Sequence, residues 1–246
     1  MPGHSEIRFC SSLDGTRLAM TVSGAGPAVV AVRIWSAFEV LESPIFTSRH
    51  WVEQLSKDLL YARYDARGIG LSEREISRFT LDAWVEDLEA VVNALGATKV
   101  ALVAFSHASA VAIRYAVRHP VRVSHLAIYG GLARGMLKRT EDENALNAAR
   151  AMIQTAEAAY SNYGPLGASF RRSYYSRLRP QLTSEQLEVL DAAVLERIGK
   201  AGFAYTAAAH DVDVSEEARR VSCLTLVFHA ATTPSFRSKK AACWRR

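Results

Sequence analysis

Ser106 is the residue whose neighbours best suit it to covalent chemistry. It stands in the stretch VALVAFSHASAVAIRYAVRHP, residues 100–120, between an apolar run and an amphipathic one. The local pattern is small-x-Ser-x-small: Ala104, Phe105, Ser106, His107, Ala108. A serine hydroxyl presented on a tight strand-to-helix turn is a nucleophile for acyl transfer, and such a turn needs small flanking residues because backbone crowds backbone. The competing reading is a helix cap, in which the same hydroxyl only accepts a hydrogen bond from a backbone N–H. A second motif, DARGIGLS, runs from Asp65 to Ser72. Gly68 and Gly70 permit a sharp turn there, and Asp65 and Arg67 are expected to hold it in shape rather than to react.

The elements around these motifs follow from periodicity. EIRFCSS and RLAMTVSG are β-rich runs joined by Asp14-Gly15, a hairpin signal. PAVVAVRIW and KVALVAF are continuous apolar runs, as expected of strands buried on both faces. LYARYDARGIGLS is a strand running into the glycine turn, and VSHLAIYGG and CLTLVFHA are further strands. SRHWVEQLSKDL, RFTLDAWVEDLEAVVNALG and HASAVAIRYAVRHP have helical spacing, the second with Thr80 or Ser77 as a start signal and Gly96 as a stop. Strands alternating with helices predict an α/β fold with a mostly parallel sheet. Residues 133–205 break this rhythm, being helical, polar-rich and strand-poor, with a break at Gly164-Pro165. The expected organisation is a first core segment over 1–132, a helical cap insertion over 133–205, a core return strand over 206–230, and a basic tail over 231–246.

Composition narrows the partners. The chain has 246 residues, enough for one such domain with an insertion. Three scattered cysteines, Cys10, Cys223 and Cys243, have no metal-ligand spacing, so neither a metal nor a disulfide framework is expected. No apolar run nears the roughly 18 residues that span a bilayer, and the first ten residues lack a secretory pattern, so a cytoplasmic protein without membrane contact is expected. The formal charge of +5 comes from the tail: Arg237, Lys239, Lys240, Arg245 and Arg246 stand there with no acid, and without them 25 basic residues face 25 acidic ones. A neutral body without a reading motif argues against nucleic-acid binding.

Taken with IRFCSSLDGTRLAMTVSG, AWVEDLEAVVNALG, AVAIRYAVRHPVRVSHLAIYGGLARG and HDVDV, the two motifs resemble the α/β-hydrolase family. Within it the chain is similar to a bacterial subgroup also found fused to cyclases and helix-turn-helix regulators. The likeness runs from residue 7 to about residue 230. It implies that Ser106 is the nucleophile and that the backbone N–H of His107 is one oxyanion donor. The second donor belongs to the loop after AVVAVRI, where Trp35 is the candidate against a place in the pocket wall or core. No cofactor is implied. The substrate class implied is a small ester, lactone or related acyl compound.

The resemblance also implies an acid after the strand CLTLVFHA and a histidine later still. This chain has neither: no Asp or Glu follows Glu217, and no His follows His229. His229 and His210 are the candidates for a recruited base. The family-like peptide His-Ala-Arg-Asp-Asp-Ala-Val-Val-Pro-Phe-Glu-Glu-Gly-Arg-Leu-Leu explains residues 231–246 when read in another frame. In one GC-rich coding, carried two alanine codons further, losing a single C after the second codon turns the remainder into the observed ATTPSFRSKKAACWR and the first two bases of a final Arg codon. The expectation is therefore an α/β-hydrolase fold missing its last strand and helix through a frameshift, with impaired hydrolysis and self-association through the exposed sheet edge. The alternatives are a non-catalytic sensory or interaction domain of the same fold, and a gene product with no function of its own.

Overall fold

The computed structural model describes residues 6–34, 37, 48–161, 164–178 and 180–229. Seven strands form one sheet: β1 (Glu6–Ser11), β2 (Arg17–Ser23), β3 (Ala28–Val32), β4 (Leu60–Tyr64), β5 (Val100–Phe105), β6 (Val123–Tyr129) and β7 (Leu224–Phe228). Their order across the sheet is β1-β2-β4-β3-β5-β6-β7. The β1–β2 and β2–β4 pairs are antiparallel and the other four are parallel, so the sheet is mostly parallel, as the βα alternation predicts. The β1–β2 hairpin closes at Asp14-Gly15, where Gly15 takes φ 86.

Both faces of the central strands are covered. Every residue of β3 is buried. Val30 and Val32 join Leu88, Val91 and Leu102 in the main core, whereas Val29 and Ala31 pack with Tyr61 in a smaller cluster that Val52 and Leu55 adjoin. That division is the two-residue period of a strand pointing successive side chains to opposite sides. Helices α2 (Leu81–Ala94) and α3 (Ser109–Arg118) cover the first face and α1 (Ser48–Leu55) the second. The Thr80 hydroxyl accepts from the Ala83 N–H at 3.2 Å and so starts α2, while Gly96, at φ 65, follows its end.

Between β6 and β7 the chain is helical: α4 (Glu143–Ser161), α5 (Pro165–Leu178), α6 (Ser184–Arg197) and α7 (Gly199–His210). Helix α7 runs five residues past the expected boundary at 205, because TAAAH is alanine-rich and favours the helix over a return to the sheet. A short α8 (Ser215–Arg219) then precedes β7. The insertion has its own buried polar centre. Arg171 is 1% exposed and forks onto Asp191, with Nε–Oδ1 2.6 Å and NH2–Oδ2 2.9 Å, and it also donates to the Ala159 carbonyl. Tyr205 on α7 docks the insertion on the core. Its ring stacks on Trp84 at 4.8 Å and its hydroxyl donates to the Arg67 carbonyl at 3.0 Å.

Candidate active site

Strand β5 ends at Phe105, and the chain then turns through a 3-10 segment, Ser106–Ala108, into α3. Ser106 has φ 53, and among the described residues it is the one non-glycine with a positive φ. A left-handed backbone at a residue with a Cβ stores strain on the order of 1–3 kcal/mol, which persists where the surroundings over-determine the turn. Those surroundings are visible. The Ser109 hydroxyl, fully buried, donates to the Ser106 and Leu132 carbonyls at 2.7 and 2.9 Å and accepts the Leu132 N–H at 3.0 Å. A Cβ on Gly131 would meet Ile128 Cγ2 at 2.2 Å and Ser109 Cβ at 2.8 Å, so this neighbour must be glycine. Ser109 and Gly131 were not singled out in the sequence. The only signal for them is a second serine three residues after the first and the Gly130-Gly131 pair.

The turn sits at the carboxyl end of the parallel strands. The order β4-β3-β5 places successive crossovers on opposite sides of β3, which is where open α/β sheets form their crevices. Ser106 itself is exposed. Beneath it, Phe105 is edge-on to Trp51 at 6.2 Å and carries the Arg33 guanidinium over its ring at 3.7 Å.

One histidine adjoins the serine, and a second adjoins the first. Ser106 Oγ lies 3.3 Å from His107 Nδ1. The His107 ring meets that of His210 edge-on, with centroids 4.9 Å apart. Burial, then the His210 and Arg139 charges, pull the His107 imidazole down to about 4 from its ordinary value of about 6.5. Burial and Arg139 lower His210 as well. Both rings are therefore neutral at pH 7. His210 is 6% exposed and its Nδ1 has no hydrogen-bond partner among the described residues. Among the described residues no carboxylate acts on either ring. His210 was expected in the return to the sheet; it is instead the last residue of α7, which carries it across to His107. His229 is exposed one residue beyond β7, with β6 between its strand and β5. Trp35 and residues 231–246 lie outside the described residues.

The DARGIGLS turn is a brace. Arg67 is fully buried and reaches Asp87 through Nε at 2.8 Å and NH2 at 2.6 Å, and Asp14 through NH1 at 2.7 Å. Asp65 Oδ2 accepts the Leu71 N–H at 2.9 Å. Gly70 has φ 58, and a Cβ there would meet that carboxylate oxygen at 2.0 Å. Its N–H donates to the Arg197 carbonyl at 2.7 Å, tying the turn to the end of α6.

Among the described residues no group of three or more His, Cys, Asp or Glu side chains is placed to hold a metal ion, and no helix is long and apolar enough to cross a membrane. A sequence model of the alpha/beta hydrolase fold family matches residues 41–245. A 2-hydroxymuconate semialdehyde hydrolase from a Pseudomonas species is 30% identical over 112 residues, 45% of this chain and 35% of that protein. The alignment thus spans about a third of that relative's length. An esterase from Exiguobacterium antarcticum superposes with a TM-score of 0.72 at 20% identity, covering 90% of this chain and 80% of its own. The enol-lactonase from Burkholderia xenovorans does so with a TM-score of 0.62 at 20% identity, covering 89% and 80%.

Proposed function

The chain belongs to the α/β-hydrolase fold family, and on that premise we propose that it is a serine hydrolase of small esters, lactones or related acyl compounds. The observation that carries this reading is the positive φ of exposed Ser106 at the carboxyl end of β5. The names of the similar proteins, an esterase, an enol-lactonase and a semialdehyde hydrolase, support it. Ser106 Oγ attacks the acyl carbon and its proton passes to a base. The backbone N–H of His107, with that of Trp35, holds the oxyanion. The alcohol departs, and water then releases the acid from the acylated serine.

We further propose that turnover by this chain is slow. His107 stands nearest the hydroxyl, but an imidazole held at about 4 is a weak base at neutral pH, and among the described residues no carboxylate acts on it or on His210. In serine proteases, losing triad members leaves an acceleration of about 10³–10⁴ over water. The acid is assigned to the other reading frame of residues 231–246, and the distal histidine to that frame read on to its next stop. The rate with p-nitrophenyl acetate is measured for this chain, for Ser106→Ala, and for a gene with one C reinserted after the Ala230 codon and read on to its next in-frame stop. The expected result is a feeble rate that S106A barely changes and a gain of several orders of magnitude on reinsertion. A full rate abolished by S106A shows that His107, His210 or His229 serves as base and overturns the impairment. A reinserted gene that stays silent, with no labelling of Ser106 by a fluorophosphonate, favours the non-catalytic reading.

A further inference from the structure

Beyond β6 the chain forms a loop over residues 130–142, whose short 3-10 segment spans Met136–Lys138. A cavity of about 390 Å³ opens there, lined by Arg134, Lys138, Arg139, Thr140 and Glu141. Three cations face one carboxylate inside it. Two further acids stand nearby: Asp211 Oδ1 pairs with Lys138 Nζ at 3.1 Å, and Asp213, whose Oδ1 accepts the Ser215 N–H at 2.9 Å and the Ser215 hydroxyl, is acted on by the Arg134 and Lys138 charges as well. Arg139 is held by its Nε donating to the Arg134 carbonyl at 2.9 Å. The loop packs on the end of α7: the Gly135 N–H donates to the Val212 carbonyl at 2.7 Å, and a Cβ on Gly135 would meet the His210 carbonyl oxygen at 2.3 Å. The buried Nδ1 of His210, without a partner among the described residues, is a second polar group beside this loop that a ligand would satisfy. The contacts run from the Ser106 hydroxyl to His107 and on to His210, against whose carbonyl this loop packs at Gly135.

We propose that the Arg134–Lys138–Arg139 cavity binds a carboxylate carried by the acyl substrate, so that the substrate is an acid-bearing ester or lactone rather than a neutral one. This rests on the reading of Ser106 as nucleophile. An anion there gains charge-assisted hydrogen bonds from a guanidinium whose planar fork matches a carboxylate, in surroundings already stripped of part of their water. It also offsets the positive field that Arg139 casts on the two imidazoles.

Calorimetric titration of the full chain with monomethyl glutarate and dimethyl glutarate tests the subsite without turnover. The half-ester is expected to bind and the diester to bind at least about tenfold more weakly. Arg139→Gln is expected to remove that preference, while Lys99→Gln, an exposed cation elsewhere, keeps it. In an NMR titration the half-ester is expected to raise the apparent pKa of the His210 imidazole. Equal binding of half-ester and diester, an unchanged R139Q, or an unmoved His210 overturns the proposal. Inorganic phosphate binding as tightly as the half-ester overturns the assignment to an acyl substrate. Fluorophosphonate labelling of Ser106 is read separately, in the product of the reinserted gene: binding of the half-ester without labelling there keeps the anion subsite and loses the nucleophile.

Discussion

Ser106 holds a backbone conformation that a residue with a Cβ adopts only under constraint, and Ser109 supplies the constraint from a buried position three residues on. Relieving the strain with glycine is expected to stabilise the chain by about 0.5–1 kcal/mol in urea unfolding, the gain being partly offset by the freer unfolded chain. S106A is expected to show no such gain; equal stability of wild type and Ser106→Gly would mean that the turn is relaxed. His107 contributes a pH dependence of definite sign. Its folded pKa, about 4, lies below the ordinary 6.5, so between those values the unfolded chain binds the extra proton. Stability is full above about pH 6.5 and is lost as pH falls toward 4. His210 shifts the same way. The melting temperature is expected to drop from pH 7 to pH 5, and to drop less in His107→Gln. A rise on acidification would contradict the burial of the neutral ring.

At the level of elements, the β4–α2 connection is built around Arg67. Desolvation would raise the Asp14 carboxyl, yet hydrogen bonds from Arg67 and Thr16 hold it well below the usual range. Asp87 is buried with the same guanidinium and makes both of its oxygens available to it. Removing one partner of a buried pair leaves an uncompensated charge. Asp87→Ala is therefore expected to cost about 3–5 kcal/mol by urea unfolding. A loss under about 1 kcal/mol would mean that Asp14 alone carries Arg67. Because Tyr205 hangs on the Arg67 carbonyl and Gly70 on that of Arg197, the same substitution is expected to loosen α7, and with it His210, before the sheet melts. Hydrogen exchange along α7 checks this order.

For the whole molecule, the last described strand sets the open question of association. β7 pairs with β6 on one side and is the edge of the described sheet on the other. Leu224, Leu226 and Phe228 alternate along it and are 70%, 56% and 49% exposed. An apolar face beside an unpaired edge is a template for association. Sedimentation velocity is expected to show concentration-dependent self-association that Leu226→Lys reduces, because a charge on that face opposes edge pairing. A wild-type chain that stays monomeric at all concentrations would show the edge to be protected.

What the sequence by itself determined was everything carried by short-range pattern. The apolar runs at residues 28–32 and 100–105 read as buried strands, and Thr80 and Gly96 mark the ends of α2. Asp14-Gly15 forms the hairpin, and the small residues around Ser106 allow the turn. Each depends on neighbours a few positions away, where period and steric demand act directly. The tertiary structure alone decided which distant groups share the site. His210 lies 103 positions from His107 and meets it only because TAAAH prolongs α7 and Tyr205 seats that helix on Trp84. The loop after β6 meets the end of α7 where Gly135 packs against the His210 carbonyl and donates to that of Val212. Such meetings depend on how helices pack, a property of the assembled volume with no local period in the sequence to announce it.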